Sequence, residues 1–382
     1  MSQQTERELV ARLKNNISSN ANAPGKMRCV VGLDGFIDEI VHVVDTRKNN
    51  SEYARLEMMS DYAERIKSYA GKSGNIEYVP QRVKIGGNGP IMANAIASLG
   101  VSTTYIGTLG RPDIHPVFRP LKDAANVISI AEPCHTDAVE FLDGKIMVGK
   151  MAPVSDVAWD RILEDVGKER FVNLLDEARL LALVNWSMLP FMSDIWENII
   201  SEIFPKLSTT ADRFFFIDLA DPQKRELSDI KRMLSIVPKF SRLYKVILGL
   251  NGREAGQIAS ALGIAADASG PDAAARACEE ISRALGVFSV VVHPVEFAVT
   301  VIGGKTYLQD GPHTKRPVIT TGAGDHFNAA FSLALSLGAD PQTALLMGVC
   351  CSGHYVMTGE TPDMDKLLSF MSDWRDDPFG KM

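Results

Sequence analysis

From residue 180 onward the chain alternates short apolar runs with helix-like segments, and this alternation constrains the fold more than any other feature. LLALVNW, RFFFIDLA and YKVILGL read as buried strands. IWENIISEIF, ELSDIKRMLSIVPKF, REAGQIASALG and DAAARACEEISRAL read as the helices between and after them, with Pro238 interrupting the second. FSVVVHPV and EFAVTVIG then read as neighbouring strands, and two Ala/Leu-rich helices close the chain. Strands joined by helices run parallel, and a parallel sheet must be covered on both faces, so the expected class is α/β. No repeat of 20 to 50 residues and no clean linker interrupts the 382 residues. One domain over 1–382 with a small excursion is expected.

The N-terminal part supplies that excursion. A short helix is expected over 5–17, and RCVVGL is a buried strand ending in a polar loop. EIVHVVD (39–45) reads as a further strand, and a charged, helix-like stretch at about 52–70 leads on to IEYVPQRVKIGG. In TDAVEFLDGKIMVGKM, Asp143-Gly144 lies between two strand-like runs, which is a strong hairpin signal. The hairpin has few partners nearby in sequence and is expected to project from the main body.

Composition excludes several classes. A net charge of −7 argues against a nucleic-acid partner, which usually demands a basic field. Five cysteines form no CxxC pair and read as reduced, buried thiols. The polar N-terminus has no apolar core of a signal peptide, and the longest apolar runs are too short to span a bilayer. A cytoplasmic protein without membrane or nucleic-acid partners is expected.

Two glycine-rich stretches carry the chemistry. TTGAGD (320–325) opens directly onto HFNAAFSLALSLG, which is helical by period. The first turn of a helix leaves backbone N–H groups free and carries partial positive charge, and glycines let a ligand approach that backbone. Gly322 and Gly324 around Ala323 therefore read as an anion site, with Asp325 poised to take a proton from an alcohol. The GxxxxGK[ST] loop of NTPases is absent, and with it the usual lysine. Nor does the stretch have the context of a dinucleotide fingerprint. The second stretch, GGNGPIMANAIASLG from Gly86, gives a tight loop followed by a buried helix.

TTGAGDHFNAAF resembles the signature of the ribokinase-like carbohydrate kinases, the PfkB family, and IGGNGPIMANAIASLG resembles that family's N-terminal signature. VVGLDGFIDEI is similar to its first strand and substrate loop, and ILGLNGREA to its Asn-x-x-Glu stretch. The resemblance covers about 28–355. It implies a ribokinase-like three-layer α/β/α sandwich with a small β lid drawn from about 37–45, 76–85 and 136–150. Residues 46–75 form a long insertion between lid strands. It implies that Asp325 is the catalytic base and that Gly322, Ala323 and Gly324 form the anion hole. Asp34, Gly86, Gly87 and Asn88 would hold sugar hydroxyls, and Asn251 and Glu254 would organise Mg²⁺ near the nucleotide, with Glu254 as the metal-side carboxylate.

The implied activity is Mg²⁺-dependent transfer of the terminal phosphoryl of ATP to a hydroxymethyl group of a small sugar. An ADP-dependent sugar kinase, a nucleoside kinase and a non-catalytic sugar- or nucleotide-binding protein on the same fold are the alternatives. A homodimer through the lid is also implied. Departures from the family text matter. Ile319 stands where an acidic residue commonly helps hold a monovalent cation, so potassium is expected to have little effect. His326 reads as a helix-packing histidine, and His293-Pro294-Val295-Glu296 only faintly echoes the ADP-dependent enzymes.

Overall fold

In the computed structural model, which describes residues 3–18, 24–209, 212–266 and 268–374, the chain forms two sheets. The strands in chain order are β1 (Arg28–Leu33), β2 (Phe36–Arg47), β3 (Tyr53–Arg55), β4 (Tyr78–Gly86) and β5 (Ser102–Gly107). They continue as β6 (Asn126–Ser129), β7 (Cys134–Phe141), β8 (Gly144–Lys150), β9 (Leu180–Leu183) and β10 (Phe214–Asp218). The last four are β11 (Lys245–Leu250), β12 (Ser289–Val292), β13 (Phe297–Ile302) and β14 (Lys305–Asp310). The large sheet has the order β14-β13-β12-β11-β10-β9-β1-β5-β6, parallel from β12 to β6 and antiparallel at β12–β13–β14.

The period-2 pattern of the central strands explains the layers. Leu181 and Leu183 of β9, Phe215 and Ile217 of β10, and Val246 and Leu248 of β11 enter one core. Leu180 and Ala182, Phe214 and Phe216, and Ile247 enter the other. Successive side chains point to opposite faces, so a strand apolar at every position is buried on both. Helices Trp159–Val166, Met192–Asn198, Leu227–Ile236 and Pro271–Leu285 cover the first face. Helices Asn88–Ser98, Ala323–Ser336 and Pro341–Thr358 cover the second. This is the expected α/β/α arrangement.

The smaller sheet is the lid. In it β2 pairs antiparallel with β4 and parallel with β7, and β7 pairs antiparallel with β8 around the Asp143-Gly144 turn. The hairpin is thus sheet-bonded rather than free. The insertion after β2 builds β3 and the helix Met59–Ser68, whose Tyr62 packs with Val41, Val43, Leu56, Val139 and Phe141 in a small third core. Strand β14 and the helices between 159 and 177 are additional to the elements read from the sequence.

Candidate active site

Asp34 follows β1 and is fully buried. Its carboxylate accepts from Asn88 N (3.0 Å), Gly89 N (2.8 Å) and Asn185 Nδ2 (2.6 Å). Burial pushes its pKa up to about 6, and the three hydrogen bonds hold it down against that. Asp34 therefore anchors the first turn of the helix Asn88–Ser98, where free N–H groups and the helix dipole favour a carboxylate. It does not line the substrate-sized cavity beside it; Asp38, four residues on, does.

The glycines of GGNG are explained by these two aspartates. A Cβ on Gly86 would stand 2.3 Å from Asp38 Oδ1, and one on Gly89 would stand 2.5 Å from Asp34 Oδ1. Gly87 has φ +88, and a Cβ there would stand 2.8 Å from Asp34 Oδ2. The loop is glycine because it is wrapped around carboxylates. Asn88 then projects into the cleft, its Nδ2 donating to Asp218 Oδ1 at 3.3 Å.

At the other signature, Gly322 takes φ +95 and starts the helix Ala323–Ser336. This conformation suits glycine. Gly324 is different. A Cβ there would meet only His293 Cε1, at an ordinary 3.4 Å, so nothing within the protein demands a glycine. A ligand pressed against the backbone would. Asp325 sits in the first turn, buried, with its pKa raised well above the usual carboxylate range by burial and by Asp218 and Asp34. Lys84 is the cation that opposes this shift.

Asn251 and Glu254 form a complete capping box. Asn251 Oδ1 accepts from Glu254 N at 2.9 Å, and Glu254 Oε2 accepts from Asn251 N at 2.9 Å. The other carboxylate oxygen of Glu254 accepts from Asp221 N at 2.8 Å. Both residues line the larger cavity while doing this structural work.

Two cavities meet here. The larger, about 670 Å³, is lined by Asn251, Glu254, His293, Gly324 and apolar residues such as Val295 and Val349. The smaller, about 240 Å³, lies under the lid and is lined by Asp38, Thr136, Asn185 and Met147 among others. Asn88, Ala220, Lys224 and Asp325 line both, so Asp325 stands at the junction.

The structure adds residues that the sequence reading did not single out. Asp38 shares an inner-face position with Phe36 in β2, a period-2 relation visible in GFIDEI. Asp218 ends β10, and a carboxyl-end position on a parallel strand is where ligands of such sheets bind. Asn328 Nδ2 donates to Asp218 Oδ2 at 3.1 Å, and burial with Glu254 nearby raises the Asp218 pKa. Lys224, far from the glycine loop in sequence, lines both cavities. Asn185, Ala220 and Asp221 all have positive φ (63, 55 and 68), and such non-glycine strain clusters at functional sites.

The two histidines differ. His326 Nδ1–H donates to the Gly322 carbonyl at 2.7 Å, and Nε2 accepts from Thr361 Oγ1 at 3.0 Å. Burial lowers its pKa to about 4, and the ring stacks on Tyr355 at 3.8 Å. It braces the loop from behind. His293 stacks on Phe327 in the larger cavity, with Nε2 unpartnered and its pKa also lowered to about 4 by burial.

An α/β/α sandwich with a lid over a glycine-loop carboxylate defines the ribokinase fold, and solved structures agree. Arabidopsis thaliana ribokinase, described as complexed with ribose and ATP, superposes with a TM-score of 0.62 at 18% identity over 91% of this chain and 99% of that one. Escherichia coli phosphofructokinase-2 gives 0.62 at 15%, over 92% and 99%. Sinorhizobium meliloti adenosine kinase gives 0.60 at 18%, over 93% and 99%. Sequence then narrows the class. The profile of prokaryotic ketohexokinase matches residues 2–374, and the ketohexokinase of Haloferax volcanii is 30% identical over 351 residues, 91% of this chain and 92% of that protein. The chain belongs to the prokaryotic ketohexokinase family and is a carbohydrate kinase of the ribokinase class. Non-catalytic binding is thereby set aside. Among the described residues, no helix is long and apolar enough to cross a membrane.

Proposed function

We propose that the protein transfers the terminal phosphoryl group of ATP to a hydroxymethyl group of a small sugar, with a ketohexose as the first candidate. The observation that carries this reading is Asp325 at the junction of a monosaccharide-sized cavity and a larger one. In that place a carboxylate can take the proton of a hydroxyl as its oxygen attacks phosphorus.

Asp38, Asn88, Thr136 and Asn185 offer the small cavity both acceptors and donors, which a polyol requires. Asp34, occupied by three donors, positions Asn88 and Gly89 rather than touching sugar. Gly86 and Gly87 let the loop close on the aspartates. The amides of Gly322, Ala323 and Gly324 and the ammonium of Lys224 take up charge on the transferring group, since phosphoryl transfer rests on positioning and charge neutralisation. The lid supplies water exclusion, and Lys145 at the start of β8 donates to Thr321 Oγ1 in the glycine loop.

Mg²⁺ fits the donor set. Asp218, Asp221 and Glu254 line the larger cavity, and Asp221 Oδ1 is buried without a partner. Oxygen donors of this kind suit a hard cation, which would neutralise nucleotide phosphate charge when bound. Asn251 and Glu254 would act on the metal's water shell.

The test is a nucleotide-consumption assay over ketohexoses, aldohexoses and nucleosides, with ATP and ADP in turn, and Mg²⁺ present or withheld. Mg²⁺-dependent ATP turnover with a ketohexose, yielding a phosphate ester, is expected. Folded protein that turns over no sugar with either nucleotide overturns the reading.

A further inference from the structure

A third cavity, of about 550 Å³, lies behind the glycine loop and shares only Ile91 with the small substrate cavity. Its walls come from both halves of the molecule. Strand β4 of the lid contributes Arg82 and Lys84, and the body contributes Arg119, His326, Tyr355 and Thr361. No carboxylate lines it, and Arg82, Lys84 and Arg119 make no ion pair among the described residues. In a chain of net charge −7 this is a concentration of sign against the average. The floor is apolar, from Ile85, Ile91 and Ile319.

Lys84 is the least satisfied of the three. Its Nζ is shut off from solvent and has no hydrogen-bond partner. Leaving a buried ammonium unpaired is costly. Asp38, its partner across the β2–β4 pair, and Asp325 from the body favour its charge, whereas burial, Lys145 and Arg82 oppose it. Arg82 and Arg119 are exposed and free to turn toward an occupant.

We propose that this cavity is a second anion site, built for a small phosphate-bearing molecule that ties the lid to the body. A phosphate group matches the arginine fork and the lysine point charge, and the apolar floor suits a short organic remainder. Cations on β4 and on the helix Arg119–Ala124 repel one another across the gap, and an anion between them reverses that repulsion. The site also abuts the catalytic loop. His326 binds the Gly322 carbonyl, and Tyr355 OH donates to the Thr321 carbonyl at 3.2 Å. Occupancy therefore holds the lid shut over the sugar and lowers the KM for sugar.

The experiment is calorimetric titration of inorganic phosphate, and separately of a hexose monophosphate, into the full chain. The protein is first saturated with sugar, Mg²⁺ and a non-hydrolysable ATP analogue, so that both substrate cavities are filled. One further phosphate-bearing molecule per chain is expected. Arg82→Ala and Arg119→Ala should each weaken it tenfold or more, while leaving analogue binding and phosphate-free turnover unchanged. Tighter binding of the ester than of inorganic phosphate assigns the site to a phosphorylated metabolite, and equal binding assigns it to free phosphate. Absence of a further binding event, or binding unaltered in the double arginine variant, overturns the proposal. Because the readout is binding, the outcome is separate from whether the kinase reaction itself is found.

Discussion

The proposed chemistry rests most heavily on Asp325, and the surroundings of that residue set what can be measured. Burial and two neighbouring carboxylates raise its pKa, so as the proposed base it becomes ionised only as pH rises through that elevated value. The acid limb of the kcat profile should accordingly lie above the ordinary aspartate range, and Lys84→Met should move it higher still. Asp325→Asn keeps size and one acceptor oxygen, so the melting temperature should change little. Turnover should fall roughly 10² to 10⁴-fold, the usual worth of a general base. Near-normal kcat in a folded Asp325→Asn preparation would remove Asp325 from that role.

His326 gives a second residue-scale expectation, on stability. Its pKa is about 4 in the folded chain against 6.5 as the ordinary value, so the unfolded chain binds the proton more tightly. The contribution to stability is present above about pH 6.5 and is lost as pH falls toward 4. The stability gap between the native chain and His326→Gln should shrink by as much as about 3 kcal/mol over that range, at about 1.4 kcal/mol per unit. Urea melts of both proteins at pH 7.5 and 4.5 measure it, and a gap independent of pH contradicts a neutral, buried His326.

At the scale of elements, the cap of the helix Gly252–Ala261 uses the same carboxylate that is proposed to act near the metal. Glu254→Gln has one acceptor oxygen where the carboxylate uses two, so either the Asn251 or the Asp221 amide loses its partner. A loss of about 1–3 kcal/mol is expected for that buried donor. Mg²⁺-dependent turnover should fall further, with sugar binding largely kept. Unchanged Mg²⁺ dependence would leave Glu254 as a cap alone.

The lid is the other informative element. Tyr62 packs against Phe141 at 5.4 Å and its hydroxyl bonds Tyr78 OH at 2.6 Å, so the helix Met59–Ser68 gives the lid sheet its own small core. Tyr62→Ala should loosen the lid by about 3 kcal/mol or more. The sugar KM should rise more than kcat falls, and the main melting transition should hardly move. A lowered main transition with unchanged KM would show that the lid core is part of the body.

Across the whole molecule, the aromatic core around Trp196 and the helix that carries Asp325 occupy opposite faces of the large sheet. Trp196 is fully buried and meets Phe215 and Phe240 edge-on at 5.9 and 6.2 Å, on the face away from the helix that carries Asp325. Trp196→Ala should cost about 3–5 kcal/mol. The urea midpoint should drop while kcat per folded molecule stays the same. A parallel loss of kcat would mean that the two cores are mechanically coupled.

What the sequence determined by itself was whatever repeats along the chain or sits within a few residues. The two-faced apolar pattern of RFFFIDLA and YKVILGL is a local property that dictates a doubly covered sheet, and Asp143-Gly144 dictates its hairpin. Both glycine loops were legible because each is a contiguous stretch ahead of a helix. Tertiary structure alone decided which carboxylate does what. Asp34 and Asp38 are four residues apart in one stretch, yet one is spent on backbone amides of the helix Asn88–Ser98 and the other faces the cavity. Lys224, Asp218 and Lys84 reach the Asp325 region from three different segments, and no spacing rule links them. The physical reason is range. Hydrogen-bond geometry and hydrophobic period act between near neighbours in sequence, whereas burial, charge and shared cavities depend on distances that exist only once the sheet and lid have closed.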